Sequence, residues 1–108
     1  MIHEVVIIDQ AEMDMVDLFG YVARTDCIQA AEKVLCAIEN ACESLCEMPE
    51  RGHVPAELDS VGIATFREIH FKPYRILYEI AQTKVFIHCV LDGRRDVQEL
   101  LERRLLRE

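Results

Sequence analysis

The sequence predicts one α+β domain with the order β-α-α-β-β-β-α, an antiparallel meander packed against an N-terminal helical hairpin. Three observations predict it. Apolar residues recur at helical spacing through residues 10–47, the period changes to two between residues 63 and 91, and a last helical stripe follows from residue 95. At 108 residues the chain has enough apolar mass for one core and too little for two, so a single domain over 1–108 is expected.

Residues 3–8 end in the apolar, β-branched run Val5-Val6-Ile7-Ile8, as in a strand buried on both faces. Asp9 with Glu12 forms a capping-box signature, and Met15, Leu18, Phe19 and Val22 then recur at helical spacing, predicting a first helix over about 10–23. Asp26 with Gln29 gives a second capping signal. The stripe Ala30, Ala31, Val34, Leu35, Ile38, Ala41, Cys42 and Leu45 follows, with Glu32, Glu39 and Glu43 outward, until Pro49 stops the helix. Two helices joined by two or three residues must pack antiparallel, as the cover of a sheet.

Residues 48–58 have the Pro and Gly content of an ordered loop, with one turn of helix near Glu57. Residues 63–71, 74–80 and 85–91 read as strands joined by turns at Lys72-Pro73 and Ala81–Lys84. Alternation puts Tyr74, Ile76, Tyr78 and Ile80 under the helices, with Val85, Ile87, Cys89 and Leu91 on the same face. Arg75, Leu77 and Glu79, with Phe86, His88 and Val90, then face the open side, where Arg75 and His88 are candidate neighbours. Val97, Leu100, Leu101 and Leu105 mark a final amphipathic helix over 95–107, whose basic end Arg103-Arg104-Leu105-Leu106-Arg107 suits a helix C-terminus.

The formal net charge is −8, which argues against free-standing affinity for a nucleic-acid backbone. Its distribution is uneven: residues 1–60 carry 13 acidic and 3 basic side chains, residues 61–108 carry 7 and 9. Any anion-facing site is therefore expected in the second half. The five cysteines show neither CxxC nor CxxC…HxxxH spacing, so reduced, buried thiols are expected, and neither a disulfide framework nor a zinc site is indicated. Cys42 and Cys46 lie one helical turn apart without a second ligand pair. No motif implies a cofactor. No run of about 18 apolar residues is present to cross a membrane. Residues 1–8 lack the basic start of an export signal, so a cytoplasmic protein is expected.

Three phrases carry a family resemblance: Met48-Pro49-Glu50-Arg51-Gly52, the core Phe66-Arg67-Glu68-Ile69-His70-Phe71-Lys72-Pro73-Tyr74-Arg75-Ile76-Leu77-Tyr78, and Val90-Leu91-Asp92-Gly93-Arg94-Arg95-Asp96. In the β-α-α-β-β-β-α order they resemble the RelE/ParE superfamily of toxins, also called plasmid-stabilisation proteins, over nearly the whole chain. The resemblance implies a bacterial growth-inhibiting toxin of a type II toxin–antitoxin system, neutralised by a cognate antitoxin in a hetero-oligomer. RelE-like members cut messenger RNA on the ribosome, whereas ParE-like members poison DNA gyrase, two functions on one scaffold.

RNA cleavage by the 2′-hydroxyl needs a proton acceptor, a cationic clamp and a proton donor. Arg75 and Arg95 match the two clamp arginines of RelE-like enzymes, Arg67 or Lys72 stands for their neighbouring basic residues, and Glu68, His70 or His88 is a candidate for acid–base work. Against this, no tyrosine follows Tyr78, and the position where RelE-like nucleases place one falls on Leu101. With the acidic charge, that departure sets the chain nearer the ParE branch. The expected function is thus a toxin that binds a macromolecular target, gyrase favoured; the alternatives are a ribosome-dependent endonuclease and a degenerate interaction module. Arg75 reads equally well as a scaffold residue paired with Glu79 or Glu68. Either way, the arginines are expected to point outward from the sheet.

Overall fold

The computed structural model describes residues 2–95 and 97–105. Asp96 and Leu106–Arg107, placed by sequence in the last helix, lie outside the described residues. Strand β1 (Glu4–Ile7) leads into α1 (Asp9–Thr25) and α2 (Ile28–Glu43). After two single turns of 3-10 helix at Ser44–Cys46 and Pro49–Arg51 comes the short α3 (Ala56–Asp59). Strands β2 (Phe66–Phe71), β3 (Tyr74–Ala81) and β4 (Lys84–Asp92) and helix α4 (Val97–Leu105) complete the chain.

Strands β2, β3 and β4 form the expected antiparallel meander, and β1 adds beside β4 in parallel, giving the order β1-β4-β3-β2. β1 is therefore an edge strand and only half buried, not buried on both faces. The α2 boundaries also differ from expectation. Cys27 rather than Asp26 is the N-cap, its Sγ accepting from the Ala30 N–H at 3.4 Å. At the other end, α2 stops at Glu43 and the chain tightens into 3-10 geometry before Pro49. Asp9 is the first residue of α1 rather than its cap, so it acts on the helix dipole.

One face of the sheet carries Ile69, Tyr74, Ile76, Tyr78, Val85 and Ile87 against Met15, Ile38, Cys42 and Leu45 of the hairpin. The opposite face is not open. Leu77, Cys89 and Leu91 bury a second core with Leu58, Val97, Leu100 and Leu101. A β-bulge causes the difference from simple alternation. Leu77 pairs with Cys89 but Tyr78 pairs with Ile87, so His88 is an extra residue in β4. Beyond it every side chain changes face: Cys89 and Leu91 leave the hairpin side and Val90 joins it. The apolar stripe of α4 thereby gains a partner surface.

β1 pairs with β4 only as far as Ile87, and side chains continue the ladder from there. The Arg104 Nη2 donates to the His88 carbonyl at 2.9 Å, and the Val90 N–H donates to Asp14 Oδ2 at 3.0 Å. Asp14 and Arg104 bind each other twice, at 3.0 and 3.1 Å. The basic end of α4 is thus a tertiary clamp as well as a dipole match.

The loop phrase Met48–Gly52 is an anchor. The buried Tyr78 hydroxyl donates to the Pro49 carbonyl at 2.6 Å and accepts from the Gly52 N–H at 3.1 Å. A Cβ on Gly52 would stand 2.5 Å from both the Glu68 carbonyl oxygen and the Tyr78 hydroxyl, so only glycine fits. Tyr78→Phe, which strands both backbone groups, should cost about 1–3 kcal/mol in urea unfolding.

Candidate functional site

On the α3/α4 side of the sheet Arg75 is the centre of a polar cluster. Its Nη1 and Nη2 each donate to one oxygen of Glu57, both at 2.8 Å. Its Nε and Nη2 donate to the two oxygens of Glu68 at 2.6 and 3.0 Å. The guanidinium side chain is 14% exposed and that of Glu68 3%. Hydrogen bonds from Arg75 hold the Glu57 carboxyl below the usual carboxylate range, and the Glu57 and Glu68 contacts raise Arg75 further above neutrality despite burial. The His70 and His53 Nε2 atoms complete the cluster, 3.0 and 3.3 Å from the Glu68 oxygens.

Each partner has a local reason for its place. Glu68 and His70 are two apart in β2 and share a face, and His70 lies opposite Arg75 in the register. His53 joins by a backbone bridge: its N–H donates to the Glu68 carbonyl at 3.1 Å, and the Glu68 N–H donates back at 2.7 Å. Glu57 rides on α3. Gly93 packs on the stem of Arg75, where a Cβ would come within 2.9 Å of the Arg75 Cδ, and its N–H donates to the Pro73 carbonyl at 2.8 Å. The motif pair of a strand arginine and a later Gly-Arg-Arg is therefore one joint in three dimensions.

Of the catalytic candidates, Arg75, Glu68 and His70 come together in this cluster, whereas Arg67, His88 and Arg95 stand apart from it. Arg75 is occupied by Glu57 and Glu68. Arg67 lies on the opposite, hairpin side opposite Tyr78, donating to the Glu50 and Gly52 carbonyls at 3.2 and 2.9 Å. His88 sits at the bulge, 3.2 Å from Glu79 Oε1 and edge-on to Phe66, so it and Arg75 have separate partners. Arg95 is exposed beside a mixed-charge groove of about 500 Å³ lined with Asp14, Tyr74, Asp92 and Arg104. In place of the expected common outward face, Arg67 and Arg75 are tied inward on opposite sides of the sheet and Arg95 alone of the three is exposed. Sequence reasoning offered Glu68 as the Arg75 partner but had no signal for Glu57, 18 residues away on another element.

A second candidate is an apolar groove of about 430 Å³ between β1, α1 and α2, lined by Ile7, Met15, Val16, Phe19 and Leu35 with Glu12 and Glu39 at its edge. Val16 and neighbouring Met13 are 60% and 59% exposed, unusual for large apolar side chains. Of the cysteines, Cys42 and Cys89 are buried and pushed up to about 12 by burial, so they stay protonated and unreactive. Cys27 and Cys36 are exposed, against the expectation that all five are buried.

The sequence model for the ParE toxin of the type II toxin–antitoxin system parDE matches residues 5–97. The chain belongs to the ParE toxin family. Its fold agrees. A chromosomal ParDE toxin–antitoxin structure from P. aeruginosa superposes with a TM-score of 0.69 at 11% identity, covering 82% of this chain and 94% of that one. The RelBE2 toxin–antitoxin complex from Mycobacterium tuberculosis contributes a chain with a TM-score of 0.62 at 21% identity, covering 83% of this chain and 96% of that one. No curated protein matches in sequence. This ParE-family chain thus shares one scaffold with both branches of the toxin superfamily. Among its described residues no helix is long and apolar enough to cross a membrane.

Proposed function

We propose that this chain arrests growth by binding a protein target, DNA gyrase in preference to the ribosome, and that a cognate antitoxin neutralises it in the cytoplasm. The observation that carries the reading is the state of Arg75. Its Nε and both terminal nitrogens already donate to two carboxylates. A scissile phosphate would have to displace charge-assisted hydrogen bonds from a nearly dry site. The acidic surface and the separation of Arg67, Arg75, Arg95 and His88 point the same way. Protein binding needs none of those groups to converge.

The test is induction of the chain without its antitoxin, followed by a supercoiling assay with purified chain and gyrase, and primer extension on translated message. Growth arrest, inhibited supercoiling and intact message are expected. Cuts at fixed codon positions that vanish in Arg95→Ala, an exposed and structurally tolerant site, would establish the endonuclease instead. Unimpeded growth would establish a retained interaction module.

The apolar groove fits the antitoxin. Its lining is aliphatic and aromatic, its edge carries Glu12 and Glu39, and residues 1–60 have a net charge of −10. The complementary segment is an amphipathic helix with Leu or Ile anchors and Lys or Arg flanks. Val16→Glu should weaken antitoxin binding about tenfold or more while leaving Tm unchanged, since Val16 is exposed in the free chain. Calorimetric titration with the purified antitoxin reads this.

A further inference from the structure

His53, Glu68 and His70 place two imidazole nitrogens and a carboxylate within 4.8 Å of one another, the one such group of metal-capable side chains among the described residues. The Nε2 atoms of His53 and His70 stand 3.3 and 3.0 Å from separate oxygens of Glu68. A tetrahedral zinc site with bonds of about 2.0–2.1 Å has ligand–ligand edges of about 3.3 Å. Each imidazole nitrogen therefore already stands near that distance from a Glu68 oxygen, His53 from Oε2 and His70 from Oε1. All three donors lie within 4.8 Å of one another, a span that rotation of the two exposed imidazoles and the carboxylate closes, and the rings meet edge to face with centroids 5.4 Å apart.

The surroundings suit a cation. Glu57, Glu68 and Arg75 together carry a net charge of −1, and Arg75 fixes the Glu68 carboxylate from behind with bonds of 2.6 and 3.0 Å. Outer hydrogen bonds of this kind orient a metal ligand and limit the cost of ordering it. The backbone bridge between His53 and Glu68 holds the loop histidine in place without metal. Access is open, because the side chains of His53 and His70 are 63% and 40% exposed while Glu68 is buried beneath them.

We infer that His53, Glu68 and His70 bind one divalent first-row transition-metal ion of the zinc class, with solvent in the fourth position. Imidazole with a single carboxylate selects such ions over magnesium or calcium, which require oxygen shells. The spacing of these residues in sequence hides the site: His53 comes from a loop, the other two from β2. The ion would pin the loop that leads to Glu57 against the edge of the sheet.

The experiment titrates reduced, metal-free full-length chain with Zn²⁺, and in parallel with Co²⁺ as a spectroscopic probe. One ion per chain and a rise in Tm of several degrees are expected under excess metal. The Co²⁺ complex should show tetrahedral d–d absorption without a thiolate charge-transfer band. His53→Ala and His70→Ala should each weaken binding roughly 100-fold and abolish the Tm rise, with metal-free Tm close to that of the parent. His53→Gln, which keeps a polar group at the exposed rim, should behave like His53→Ala. No binding, binding unchanged in the His53→Ala/His70→Ala chain, or a thiolate band assigning the metal to Cys27, Cys36 or Cys46 would each overturn the inference.

Discussion

Arg75→Ala should lower the unfolding free energy by about 3–5 kcal/mol, the cost of leaving a buried charge unpaired. Glu68 is the reason. Its side chain is 3% exposed, and both of its oxygens face Arg75. Removal of the guanidinium leaves that carboxylate with only two histidines, one of them largely in solvent. Arg75→Lys should recover only part of the loss, since an ammonium cannot serve Glu57 and Glu68 bidentately. Urea unfolding at pH 7 measures both.

The same cluster sets an acid dependence. The Glu57 carboxyl titrates below its ordinary range because Arg75 donates to it. A depressed carboxylate pKa contributes stability that is present above the unfolded-state value of about 4.3 and is lost as pH falls through the folded value. The parent chain should therefore lose stability below about pH 4, whereas Arg75→Ala, already without this contribution, should show a flatter profile there.

Asp14→Ala should be the second large effect, about 3 kcal/mol, because one carboxylate serves two roles. It accepts from the Val90 N–H where β4 has lost its β1 neighbour, and it neutralises Arg104, whose side chain is 15% exposed. Asp14→Asn should cost less, keeping an acceptor for Val90 while giving up the charge pair. Hydrogen exchange at Val90 distinguishes them: the amide should exchange readily in the alanine variant and stay largely protected in the asparagine variant.

Much of the architecture follows from periodicity. The stripe through Ile38, Cys42 and Leu45, the two-residue alternation of Tyr74, Ile76 and Tyr78, and the helical turn near Glu57 all lie where spacing places them. The bulge at His88 does not. An inserted residue leaves the composition of β4 as apolar as before, so alternation alone carried Cys89 and Leu91 to the wrong face. The exchange also turned a supposedly open surface into a second core under α4.

Long-range polar pairs were illegible for a different reason. Asp14 and Arg104 are 90 residues apart, and Arg75 and Glu57 lie on elements whose approach no local pattern encodes. Arg75 itself stood out through its motif, and its scaffold reading included Glu68. The choice between clamp and scaffold needed the second carboxylate. His53 and His70 lie 17 residues apart, and no spacing rule joins a loop histidine to a strand one.

In the proposed function the signature arginine Arg75 organises the fold of this ParE-family toxin instead of contacting its target. The most direct measurement is the toxicity of Arg75→Met/Glu57→Leu/Glu68→Met, which exchanges the whole buried charge cluster for apolar groups of similar size, a replacement that proteins often tolerate with little loss of stability. With folding verified by circular dichroism and thermal melting, induced chain should arrest growth as the parent does. A folded, stable triple variant that leaves growth untouched would contradict the account and return Arg75 to the functional surface.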